Sequence, residues 1–221
     1  LLLVMVMALG LISTAFAAPT IDSGRKASLS LYKYDITAAS ADGASDAASY
    51  VSTGVQDDAV PDKLAKYAIQ GVEFSYLRVA SISTYSQRES GQYKVGVLYG
   101  CADDAVLQAI GLTKADAYKR GNGVFYFTSD KLNKALADAL AVNATTVKNA
   151  LEATVLNGGK AMPETDANGH SKVSGLEQGL YLAVETREPE NVIRTCNPFL
   201  VSLPMTLNLI HSSDPTTMHL L

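Results

Sequence analysis

Six segments along the chain read as strands, the first by its alternation of apolar and polar positions and the others by their β-forming residues. The first is Ala27-Ser28-Leu29-Ser30-Leu31-Tyr32-Lys33-Tyr34. The second and third are Gly71 to Val79 and Tyr93 to Tyr99, joined around a turn at Glu89-Ser90-Gly91. Val124 to Thr128, Gly179 to Thr186 and Pro198 to Pro204 complete the set, the last at an edge or strand end because of its prolines. Between them the period changes. Asp103 to Ile110 reads as a short helix stopped by Gly111, and Thr113 with Asp116 resembles a capping box. Leu132, Leu136 and Leu140 form one helical stripe, and Val147, Leu151 and Val155 form a second. Asn143 ends or caps the first stripe, and Asn157-Gly158-Gly159 closes the second. Both stripes read as core packing against a sheet. Thr37 to about Asp62 is rich in Ala, Ser, Asp and Gly and reads as a surface loop. Strands at both ends with helices between predict one mainly β sandwich carrying a helical insertion at about residues 103–157.

The N-terminus adds an address. Residues 1–12 are apolar and uncharged, and the run stops at Ser13-Thr14, short of the ~20 residues a membrane span needs. Ala15-Phe16-Ala17 then offers the small residues that a signal peptidase reads, so residues 1–17 are expected to be a signal peptide. A buried helix or a membrane anchor is the competing reading. No basic segment precedes the run, so the start of the protein is expected upstream. A hydrophobic fraction of 48% with 18% charged residues suits a packed core. A net charge of −4 without a Lys/Arg-rich block argues against nucleic acid as a partner. In an oxidising exterior Cys101 and Cys196 can bridge, or they can remain two buried thiols. Their spacing does not suit a metal site.

Catalytic motifs find little support. His170, His211 and His219 have no metal spacing, and there is no G-x-S-x-G elbow, P-loop or G-x-G-x-x-G. Asp166-Ala167-Asn168-Gly169 reads as turn chemistry rather than a calcium loop. No cofactor is implied and no enzyme is expected. The informative residue is Lys33. It shares strand parity with Leu29 and Leu31, so it points inward if they do. An unpaired inward ammonium is costly. Lys33 therefore reaches water at the strand end, pairs with a buried carboxylate, or is consumed covalently. Glu185, on one face of its strand with Tyr181 and Ala183, is the natural partner. Burial disfavours both charged forms, and a neutral amine facing a protonated carboxyl suits attack on a nearby Asn carboxamide.

Several segments together resemble a known family. Gly71-Val72-Glu73-Phe74 resembles the G-x-x-F strand of B-type repeats of collagen adhesins. Thr165-Asp166-Ala167-Asn168-Gly169, Gly175-Leu176, Gly179-Leu180-Tyr181, Glu185-Thr186 and Pro189 resemble their T-D-x-x-G…L-x-x-G-x-Y…E-T-x-x-P pattern. Pro198 to Met205 is similar to the P-F-x-V-S-L-P-M run in the N-terminal domain of Gram-positive, sortase-assembled major pilins. Ser30 to Asp35 is similar to that domain's opening strand. The resemblance implies an Ig-like or prealbumin-like sandwich over residues 18–206, followed by an atypical or truncated tail at 207–221. It implies export to the cell surface or cell wall, crosslinking by sortase to other pilin subunits, and a role in adhesion. A cell-wall adhesin module that binds host matrix or glycan is the alternative. It further implies an internal isopeptide bond, for which Lys33, Glu185 and Asn208 are the candidates. The family continues into a Y-P-K pilin motif and an L-P-x-T-G signal, neither of which occurs in this sequence. The chain is therefore expected to be truncated, frame-shifted near Met205, or part of a longer gene.

Overall fold

The computed structural model describes residues 24–44, 59–89, 92–102, 104–190, 196–204 and 216–220. The expected signal peptide and Asn208 lie outside them. Strand β1 (Ala27–Lys33) leads into helix α1 (Ile36–Ala41), and helix α2 (Ala59–Leu64) precedes the long strand β2 (Glu73–Glu89). β3 (Gln92–Cys101), helix α3 (Asp104–Ala109), β4 (Lys119–Gly121), β5 (Val124–Phe127) and helix α4 (Ser129–Gly158) follow. The chain closes with β6 (Lys160–Ala161), β7 (His170–Leu176), β8 (Gly179–Arg187), β9 (Phe199–Leu203) and β10 (Thr216–Leu220).

These strands make two sheets. The larger runs β4-β5-β3-β2-β8-β9, with β6 also paired to β2, and the smaller runs β10-β1-β7. β8 is buried on both faces, and its period of two divides its side chains between two cores. Leu180, Leu182 and Val184 join Leu132, Leu136, Leu151 and Val155 of α4 on the helical side. Tyr181 joins Leu29 and Leu31 of β1, Phe74, Val201 and Leu203 between the sheets. The domain is thus a mainly β sandwich whose large sheet carries a helical layer on its outer face. That layer is part of the expected insertion, whose β4–β5 hairpin instead extends the edge of the large sheet beside β3.

The helices follow from local chemistry. The Thr128 hydroxyl accepts from Lys131 N at 3.3 Å and caps α4. Non-helical torsions at Asn143 (φ −152°, ψ 76°) kink α4. There the Asn143 side chain accepts from Thr146 N at 3.2 Å, restarting the helix as a cap does. Gly159 ends it, where a Cβ would lie 2.5 Å from the carbonyl oxygen of Tyr76. One expectation is corrected: the stretch read as a surface loop from Thr37 to Asp62 contains α1 and most of α2. Asp35 caps α1 through Ala38 N at 2.9 Å. Ala39 then packs with Tyr34, Leu64 and Tyr67 in a third cluster that gives so polar a segment something to bury.

Candidate functional site

The site forms where β1 and β8 face each other between the sheets. Leu29, Leu31 and Lys33 share the inward face of β1, and Tyr181, Ala183 and Glu185 share that of β8. Lys33 Nζ donates to Glu185 Oε2 at 3.1 Å, with side chains 5% and 1% exposed. Glu185 Oε2 also accepts from the backbone N–H of Cys196 at 2.7 Å. The other carboxylate oxygen, Oε1, is buried and has no hydrogen-bond partner among the described residues. Two of the three isopeptide candidates are therefore together. The third, Asn208, lies outside the described residues. β10 runs parallel beside β1, with Leu220 in register with Lys33.

The motif residues build the frame around this pair. Lys33 N donates to Gly169 O at 2.9 Å, and Ile69 N donates to Lys33 O at 3.0 Å, so the lysine's own backbone is pinned on both sides. Gly169 has φ 71°, and a Cβ there would lie 2.4 Å from Lys33 O. The turn that supplies Gly169 is closed by Asp166, whose carboxylate accepts from Asn168 N at 2.8 Å and His170 N at 3.0 Å. Thr165 is buried and ties this turn to the start of β2. Its hydroxyl donates to Ile69 O at 2.8 Å and accepts from Val72 N at 3.0 Å. Glu185 is in register with Phe74 of β2, and Thr186 bonds Ser75 through their hydroxyls at 3.0 Å. The T-D-x-x-G, G-x-x-F and E-T segments, far apart in sequence, thus position one lysine and one glutamate.

Of the two readings of the cysteines, the structure has the unbridged one. Both are free thiols. Cys101 belongs to the core under the helices, whereas Cys196 packs against the core between the sheets, so the large sheet separates them. Burial pushes each thiol up to about 11. Cys196 instead joins the Lys33–Glu185 site through its backbone. Sequence reasoning missed that role because a main-chain N–H is the same in every residue but proline.

Fold and site together define a two-sheet domain that buries a lysine–glutamate pair between its first strand and β8. No protein-family profile and no curated protein matches the chain. Solved structures it is similar to include pilus proteins of Gram-positive bacteria. The full-length major pilin SpaD from Corynebacterium diphtheriae matches with 18% identity and a TM-score of 0.42, over 92% of this chain and 33% of that one. The group B streptococcus pilus 2b backbone protein matches with 14% identity and a TM-score of 0.33, over 88% of this chain and 39% of that one. The pilus backbone RrgB from Streptococcus pneumoniae matches with 13% identity and a TM-score of 0.27, over 88% and 40%. The chain spans roughly a third to two fifths of the length of these pilins. All three TM-scores lie below 0.5, and function is therefore read from this chain's own residues.

Proposed function

We propose that the chain is the N-terminal domain of a sortase-assembled surface pilin, a structural subunit whose sandwich is locked by an amide between Lys33 and an Asn side chain. The carrying observation is the Lys33–Glu185 pair, buried between the sheets, with one carboxylate oxygen left without a partner among the described residues. A structural ion pair gains little from such burial, because desolvating two charges offsets most of their attraction. The same arrangement suits chemistry. A proton passing from Nζ to Oε2 leaves a neutral amine beside a protonated carboxyl without changing the net charge of the pair. The amine attacks the carboxamide carbon, forming a C–Nζ bond. The carboxamide C–N bond then breaks, and its nitrogen takes up a proton and leaves as ammonia. Asn208 is the acceptor favoured by the sequence. The resulting amide ties the first strand to the end of the domain, which suits a fibre under shear.

Export to the cell surface, sortase as the crosslinking enzyme and other pilin subunits as partners belong to the same proposal, as does adhesion through host surface ligands. The test is a blot of cell-wall digests from the producing bacterium with antibody against this domain. A ladder of high-mass species that survives boiling in detergent is the expected result. A single band at the mass of one subunit would overturn the fibre reading and favour an anchored adhesin.

A further inference from the structure

We infer that the backbone N–H of Cys196 is the positioning element of the Lys33–Glu185 site. This rests on the covalent reading above and names the part that would make Glu185 effective. A glutamate side chain has three rotatable bonds, and a single ion pair to a flexible lysine leaves its carboxylate several orientations. Here Oε2 accepts two donors from different directions, Lys33 Nζ at 3.1 Å and Cys196 N at 2.7 Å. The main-chain donor is the shorter, and a hydrogen bond from an N–H to an ionised oxygen is among the stronger kinds. It fixes Oε2 on the line to Nζ, the route along which the lysine gives up its proton. It thereby leaves Oε1, buried and without a partner among the described residues, as the atom to accept an N–H of the incoming carboxamide.

The donor's own position is set by its place in the chain. Cys196 lies three residues ahead of β9, whose Phe199 pairs with Ala183 on the same strand as Glu185. The loop that enters β9 therefore passes over the glutamate. The thiol does not reach the glutamate: Sγ is directed to the carbonyl oxygen of Asn197 at 3.4 Å.

The test uses the full chain with three substitutions. In ¹⁵N-resolved proton spectra the residue-196 amide should lie downfield and exchange slowly, and Glu185→Gln should move it upfield. Cys196→Ala keeps the N–H, so it should keep both the downfield amide and the wild-type rate of ammonia loss by intact mass. Cys196→Pro removes the N–H and should slow that loss roughly 100-fold, the scale of a misplaced catalytic group. An amide unmoved by Glu185→Gln, or a proline chain that loses ammonia as fast as wild type, overturns the inference. Should the proline chain fail to fold, the Glu185→Gln spectrum decides alone. A wild-type chain that keeps its ammonia while its 196 amide follows Glu185 refutes the covalent reading instead.

Discussion

Replacing Glu185 with leucine strands an ammonium between two sheets. Lys33 and Glu185 are 5% and 1% exposed and 3.1 Å apart. At an effective dielectric of about 20, charges at that distance attract by about 5 kcal/mol. Most of this offsets the cost of removing both from water, so the pair as a whole contributes little to stability. Removing one partner leaves the full desolvation of the other uncompensated. Glu185→Leu and Lys33→Met should therefore each cost about 3–5 kcal/mol. Glu185→Leu also strips the acceptor from Cys196 N. A domain of this size has roughly 5–15 kcal/mol in hand, so each single variant should be marginal or close to it. The double variant Lys33→Met/Glu185→Leu replaces the pair with apolar groups and should be more stable than either single. None of these three chains retains both groups of the proposed reaction, so an internal amide does not complicate the comparison among them. The assay is urea denaturation of each, with midpoint and slope compared and intact mass measured on the same samples. Singles as stable as the double variant would mean the remaining partner is solvated and would refute the reasoning.

Gly169→Ala should destabilise by more than ~2 kcal/mol, because it combines φ 71° with a Cβ 2.4 Å from Lys33 O, and thermal denaturation would show it. Leu151→Ala should cost about 2–5 kcal/mol, since Leu151 of α4 is 0% exposed. Leu156→Ala, at 63% exposure on the same helix, should stay within ~0.5 kcal/mol in the same measurement. Both cysteines should resist iodoacetamide in the native chain, since a thiol moved from 9.0 to about 11 holds roughly 100-fold less thiolate at pH 8. The same shift gives a sign for stability. Below about pH 9 both thiols are protonated, folded or not. Between about 9 and 11 the unfolded chain releases protons that the folded one keeps, so denaturation midpoints should fall across that window.

What is legible in the sequence is a period or an unbroken run of strand-forming residues. β8 was readable because Gly179 to Thr186 offers β-forming residues throughout, and two-sided burial in the sheet is what such a run demands. The inward face of Lys33 followed from parity with two leucines, because a strand cannot turn one side chain in three without a bulge. α1 and α2 were not readable. Their small and polar content carries no stripe; α1 holds through the Asp35 cap and the burial of Ala39, and α2 through the burial of Leu64 in the same cluster, a tertiary effect. β2 and β3 were read short because the segment from Ser81 onward is dominated by small and polar residues. It is a strand by pairing with β3 through Glu89↔Gln92, not by composition. The site divides along the same line. Its charged side chains are types a reader can pick out, and their strands place them on known faces. The alignment of the carboxylate depends on a main-chain N–H from a loop, which leaves no residue type to find. If Cys196 acts through that N–H, side chains other than proline should serve at position 196. Positions 33 and 185 should tolerate almost no change, because there the side chains themselves carry the proton and the nucleophile. A saturation series at the three positions, scored by ammonia loss, separates these cases. Strict dependence on cysteine at 196 would move the role from the backbone to the thiol.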